Sequence, residues 1–300
     1  MRFAVLGSGS KGNALVVESG ATRVLVDCGY SPRELKSRLQ YLHLDVRDID
    51  AVLLTHGHGD HMKGAKQFAG ALGIATYATE ETKRFCAGFG GLRNHVPIAA
   101  GRTFRVGDVD VHPVATPHDA PGSVCFVVDD GHERVGVCTD LGMPTDRVAE
   151  ALGSCDSLLL EHNHDVDMLE RGPYSASLKR RILSTRGHLS NVDGAKLLAM
   201  ALETSRTLTR VILGHLSEVN NTPTLALAAA RAVVDGAPIE LSIAPQHHPT
   251  GWLRARLSDL SERPSTPIGA PAAKEAVAVS PTTMKHVAMA RQLALFGSTR

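Results

Sequence analysis

The sequence predicts an α/β chain of the α+β type, a four-layer αββα sandwich, from three observations. The first third reads as three strands, a helix and a strand; the middle third is β-rich; the last third alternates helices with strands. Strand-forming runs therefore come from both halves of the chain, which suits two packed sheets with helices outside them better than one purely parallel, doubly wound sheet.

The elements follow in order. RFAVLG, NALVVES and TRVLVDC are short β-branched runs. SPRELKSRLQYL is a helix, because Ser31, Pro32 and Glu34 occupy N-cap, N1 and N3 positions and Leu35, Leu39 and Leu42 repeat at helical spacing. DAVLLT is the fourth strand. FRV, VDVHPVA, VCFVVDD and RVGVCTD follow, bounded by Gly and Asp turns, and SLLLE, RVILG and IELSI lie between the later helices. At 300 residues the chain fits one large domain with a tail as well as it fits two domains. We place the folded domain at 1–260 and a flexible Pro/Ala-rich tail at 261–300, where large apolar residues become scarce.

Composition excludes several classes. With 43% hydrophobic residues, 21% charged residues and a net charge of +1, the chain is neither disordered nor a general polyanion binder, so any anion-binding surface is local. No apolar run approaches the roughly 18 residues of a membrane span, and MRFAVLGSGSKGN lacks a signal-peptide core, so no membrane partner and a cytoplasmic location are expected. Five cysteines without a C-x-x-C read as buried free thiols. Nothing in the pattern fixes an oligomeric state. Histidine stands out: 15 residues is about twice its ordinary share.

Gly7 to Gly12 spells G-x-G-x-x-G after a strand, with Asp27 placed as a ribose-binding acid would be. This dinucleotide-binding, oxidoreductase reading needs a helix next, to receive the pyrophosphate. Asn13 to Ser19 alternates like a strand instead, and the ten residues between Gly12 and Arg23 leave too little room for a crossover helix.

The strongest chemical signal is Thr55-His56-Gly57-His58-Gly59-Asp60-His61, four ligand side chains where an apolar strand ends. His56 and His58, two apart, are able to face one metal, while Asp60 and His61 open a helix and are placed for a second. Imidazole and carboxylate suit zinc or manganese, and iron is also compatible.

The order THGHGDH resembles the H-x-H-x-D-H signature of the metallo-β-lactamase-fold hydrolases, and His118, Asp140, His188 and His215 follow in that family's order. With GSGSKGN, LVDCG and EHNHD...GPYSASLKRRI, the chain is most similar to the YycJ/WalJ-type branch, related to ribonuclease Z and PhnP phosphodiesterase, over roughly residues 1–250. The resemblance implies a metallo-β-lactamase-type sandwich holding two divalent metal ions. It assigns His56, His58 and His118 to one, Asp60, His61 and His215 to the other, and Asp140 to a bridge. Two departures matter. Gly57 and Gly59 sit inside the signature, where they affect loop stiffness rather than ligand count. Cys138, two residues before Asp140, is the competing ligand; Asp140 is preferred because it occupies the strand end and bridges as a carboxylate does in dinuclear nucleases.

Such a pair of metals would polarise a phosphoryl oxygen and lower the pKa of a bridging water, supplying a nucleophile near neutral pH. Asp60 is expected to orient that water, and His188 to protonate the leaving oxygen as the general acid. Glu161 and His164, which follow an apolar strand, are candidates to stand behind the metal ligands and orient them. Ser190, Asn191, Ser217, Asn220 and Asn221, with the basic run Lys179, Arg180 and Arg181, are candidate phosphate contacts. The resemblance implies a nucleic-acid phosphodiesterase, a 5′-to-3′ exonuclease-like enzyme on DNA. The alternative is a small-ester or thioester hydrolase of the glyoxalase type, which shares the metal site. In the tail, Gln292, Leu293, Leu295 and Phe296 look like the bacterial sliding-clamp-binding pentapeptide, departing at Ala294; the bland alternative is a short amphipathic helix folded back on the domain.

Overall fold

The computed structural model describes residues 1–257 except residue 89. The predicted tail and the peptide Gln292 to Phe296 lie outside the described residues. Strands β1 (Arg2–Gly7), β2 (Ala14–Ser19), β3 (Thr22–Val26), β4 (Ala51–Leu53), β5 (Ala75–Thr79) and β6 (His95–Ile98) run in sequence through the first sheet. Strands β7 (Phe104–Val106), β8 (Val109–Ala115), β9 (Val124–Asp129), β10 (Arg134–Cys138), β11 (Ser157–Glu161), β12 (Arg210–Gly214) and β13 (Glu240–Ile243) build the second. The short β14 (Leu253–Arg254) returns to the first sheet beside β1, so each sheet has seven strands among the described residues.

The two sheets share a plan. Each begins as an antiparallel meander and turns parallel partway, at β3 in the first and β10 in the second. Parallel neighbours need crossovers. These are supplied by α1 (Pro32–Tyr41), α2 (Gly59–Met62), α3 (Ala65–Leu72) and α4 (Glu80–Ala87) on one side. On the other side α5 (Asp146–Gly153), α6 (Val166–Arg171), α7 (Ala176–Ile182), α8 (Asn191–Thr204) and α9 (Pro223–Val234) serve the second sheet.

Alternation along the strands builds three apolar layers. Phe3, Val5, Val24 and Leu53 face Phe126, Val128, Val137 and Ile212 between the sheets. Their neighbours Ala4, Leu6, Leu25 and Val52 pack outward under Leu35, Leu39 and Phe68. Leu158, Leu160, Val211 and Leu213 pack outward under Val148, Leu152, Leu197 and Ala230. Sheets buried on both faces explain why SLLLE and RVILG are nearly all apolar. The predicted four-layer αββα architecture is what the chain adopts. All five cysteines are buried and free; Cys138 lies with Cys125 and Cys155 in the apolar layer outside the second sheet, and Cys28 and Cys86 lie outside the first.

Ser31 caps α1 with Pro32 in its first turn, as predicted. After Gly12 the chain enters β2 rather than a helix, so a pyrophosphate has no helix N-terminus to meet. Among the described residues no helix is long and apolar enough to cross a membrane.

Candidate metal centre

The chemistry-bearing side chains gather where the two sheets turn parallel, at the C-terminal ends of β3, β4, β10, β11 and β12. Strand ends of this kind leave a crevice between crossover loops. Three of the residues there, Asp27 (φ 61°), Asp140 (φ 59°) and His215 (φ 55°), hold left-handed backbone conformations. Non-glycine residues adopt this conformation at a cost, and such strain concentrates at functional sites.

On one side His56 Nε2 lies 3.1 Å from His58 Nδ1, which lies 3.2 Å from His118 Nε2. Nitrogens bound tetrahedrally to zinc at about 2.0–2.1 Å stand roughly 3.3 Å apart. The three rings are therefore spaced for one cation. On the other side Asp60 Oδ2 is 3.5 Å from both His61 Nε2 and His215 Nε2. Asp140 spans the two clusters, with Oδ2 3.0 Å from His61 Nε2 and Oδ1 3.8 Å from His118 Nε2.

Five of the six histidines here, all but His58, are held from behind by a hydrogen bond, which fixes the ring and raises its basicity as a ligand. His56 Nδ1 meets Thr55 Oγ1 at 3.0 Å, His61 Nδ1 meets Asp27 Oδ2 at 2.7 Å, and His118 Nδ1 meets the Gly187 carbonyl at 3.0 Å. His215 Nδ1 meets Glu161 Oε1 at 2.8 Å, and the same oxygen receives His188 Nδ1 at 2.9 Å. Asn13 completes the floor: its amide nitrogen lies 3.4 Å from Asp60 Oδ2, and its backbone N–H donates to the Asp60 carbonyl at 2.8 Å. Gly29 is glycine because a Cβ there would overlap Asp60 O and Asn13 N.

The electrostatics test whether cations belong here. Burial alone would strip protons from His61 and His215. The surrounding carboxylates prevail, holding His61 well above the usual histidine range through Asp140 and Asp27, and raising His215 to about 10, chiefly through Asp140 and Asp60. His56 goes the other way, pulled down by burial and by neighbouring His61. Neither buried Asp140 Oδ2 nor His215 Nε2 makes a well-formed hydrogen bond, although each faces an oppositely charged group at 3.0–3.5 Å. Buried carboxylates facing ligand nitrogens call for positive charge, a demand that fits divalent metal ions. The groups His56/His58/His118, Asp60/His61/His215 and His56/His61/Asp140 each converge closely enough to hold one ion.

The other predicted residues divide. His188 stands over the centre, its ring centroid 5.3 Å from those of both His118 and His215. Glu161 lies beneath it, fully buried. His164 pairs with Ser190 through its backbone, while neither of its ring nitrogens finds a partner. Ser190 caps α8. Asn191 and Asn221 bond each other's amides at 2.8 and 2.9 Å, Ser217 receives the N–H groups of Val219 and Asn220, and all five polar residues are buried. These bonds shape the loops around the site. In the basic run, Lys179 donates to the Glu170 carbonyl, while Arg181 turns to Asp119 beside the first histidine cluster. Cys138 is walled into apolar packing, its thiol pushed up by neighbouring Cys125 and by burial, so the competing ligand is out of reach.

Sequence reasoning missed Thr55, Asn13 and Asp119, and gave Asp27 a different duty. The motif THGHGDH contains Thr55, but a hydroxyl among histidines carries no signal until the ring behind it is placed. Gly57 has a steric reason: a Cβ there would strike Phe85, whose ring lies edge-on to His58 with centroids 6.1 Å apart.

This fold, with acids and imidazoles at the ends of its parallel strands, defines a metal-dependent hydrolase. Residues 7–188 match the metallo-beta-lactamase superfamily, to which the chain belongs. It is 36% identical over 233 residues to the exodeoxyribonuclease WalJ of Streptococcus pneumoniae, covering 75% of this chain and 85% of that protein. It is 33% identical over 241 residues to the exodeoxyribonuclease YycJ of Bacillus anthracis, covering 78% and 89%. It is thus a member of the WalJ/YycJ branch. In fold it is similar to YhfI of Bacillus subtilis, with a TM-score of 0.64 at 18% identity over 83% of this chain and 98% of that one.

Proposed function

We propose that this chain is a dinuclear metal-dependent phosphodiesterase that degrades DNA as an exonuclease in the 5′-to-3′ direction. The observation that carries the reading is Asp140, whose two carboxylate oxygens reach toward two separate ligand clusters. Similarity to two proteins named exodeoxyribonucleases supports the substrate. Zinc or manganese suits the ligand set of His56, His58 and His118, of Asp60, His61 and His215, and of the shared Asp140.

When bound, two such ions supply charge neutralisation for the phosphoryl oxygens and a nucleophile active near neutral pH. The chain's own residues do the rest. Asp60 orients the attacking water. His188 delivers the proton to the leaving oxygen from Nε2, because Nδ1 is committed to Glu161. Burial opposes the charged form of His188, but Glu161 more than offsets it and keeps the imidazolium available above the usual histidine range. Residues 1–260 form the hydrolase domain, and 261–300 tether a clamp-binding peptide, Gln292, Leu293, Leu295 and Phe296, that brings the enzyme to replicating or repaired DNA.

The test is to incubate the manganese-loaded protein and its Asp60→Ala variant with end-labelled, 5′-phosphorylated DNA and RNA. Progressive shortening of DNA from the 5′ end by wild type alone is expected. Intact nucleic acids together with turnover of thioesters would overturn the reading.

A further inference from the structure

Three consecutive basic residues occupy α7, and the fold separates them. Lys179 is spent on the last turn of α6 through the Glu170 carbonyl. Arg181 instead crosses to Asp119, with Nε 2.5 Å from Oδ2. The other oxygen of Asp119 lies 3.3 Å from His58 Nε2 and 3.4 Å from His118 Nε2. The guanidinium thus stands at the rim of the first histidine cluster, one carboxylate removed from it, with 54% of its side chain exposed.

Two features of this pair point outward. Nε is occupied, which leaves guanidinium N–H groups in their planar fork for a ligand with paired oxygens. Asp119 fixes where that fork sits while leaving it exposed. A strand lying across the centre would bring the phosphate next to the scissile one past this rim.

We propose that Arg181, aimed by Asp119, binds the non-scissile phosphate adjacent to the bond being cut, so that the enzyme discriminates a polynucleotide from an isolated phosphodiester. The inference rests on the nuclease reading above. Arg181 is a binding residue in it and Asp119 a positioning residue.

The experiment compares wild type with Arg181→Gln, Asp119→Asn and a charge-matched control, Arg33→Gln on the exposed side of α1, on two substrates. One is a DNA oligonucleotide; the other is bis(p-nitrophenyl) phosphate, which has a single phosphate. Metal content and circular dichroism are read for each protein. Arg181→Gln is expected to raise KM for DNA about tenfold, leave kcat within about twofold and leave hydrolysis of the small diester unchanged. Asp119→Asn is expected to raise KM for DNA severalfold at full metal content, and Arg33→Gln to match wild type.

Three results would overturn the proposal. Equal KM shifts in Arg181→Gln and Arg33→Gln would reduce the effect to bulk charge. An equal loss on the small diester would move Arg181 to the scissile group. Loss of bound metal in Asp119→Asn would make Asp119 a ligand and Arg181 its counter-ion. Failure of the nuclease reading looks different: wild type itself would cleave the small diester and leave DNA intact.

Discussion

Glu161 fixes two histidines at once. One oxygen receives both His188 and His215, and the other accepts the backbone N–H groups of Leu141 and Leu189. Four donors hold the fully buried carboxylate ionised, at about 2, because His188 and His215 outweigh its desolvation. Its consequence is a prediction about pH. A general acid works only while protonated, so with His188 in the proposed role activity should fall as pH rises through its pKa. Glu161→Gln removes the charge that raises this pKa, and the alkaline limb of the kcat profile should move to lower pH, with a loss of about 10–100-fold in rate. A limb that stays in place, measured across pH 5–10 with metal content held constant, would show that His188 is not the acid. This residue was a candidate on the sequence because it ends an apolar strand. What the sequence could not reveal is that one carboxylate serves histidines 27 and 54 positions further on.

Among the elements, strands and caps were legible because their signals are local. The runs RFAVLG, TRVLVDC and SLLLE, and the Ser31 cap with Pro32, depend only on near neighbours, and each forms where the pattern places it. The strands β5 (ATYAT) and β6 (HVPI) were not legible: one is half polar, and the other is an edge strand that carries a proline. The pairing of the polar groups beyond β11 and β12 was not legible for a different reason. Asn191 and Asn221 are 30 positions apart and satisfy each other inside the protein, and a sequence does not distinguish a buried amide pair from two surface amides. His162 belongs to the same junction, fully buried, its ring against Gly194 of α8. Burial holds that ring down to about 4, so the folded chain excludes a proton that the unfolded chain binds below about 6.5. Stability from this group is complete above about pH 6.5 and is lost as pH falls toward about 4, by about 3 kcal/mol in all. Urea melts of wild type and His162→Phe at pH 7 and pH 5 check the sign. The gap between them should narrow or reverse at pH 5, and a constant gap would place the ring in a wetter setting than described.

At the scale of the whole molecule, the two sheets contribute different halves of one centre. The first sheet brings Asp27, His56, His58, Asp60 and His61, while the second brings Asp140, Glu161 and His215, and the loops bring His118 and His188. The candidate ligands come from both sheets, so the cluster exists only when the sandwich is closed, and metal bound there would stabilise the fold. The grouping of six histidines and several acids was visible in the sequence as motif order; the Asp119–Arg181 rim was not, since its partners lie 62 positions apart. The most direct measurement is metal stoichiometry by mass spectrometry of the digested protein, after equilibration with zinc or manganese and removal of excess. Two ions per wild-type chain are expected, and no more than one in folded Asp60→Ala. One ion or none in wild type, or two in the variant, would contradict a dinuclear centre built on these residues.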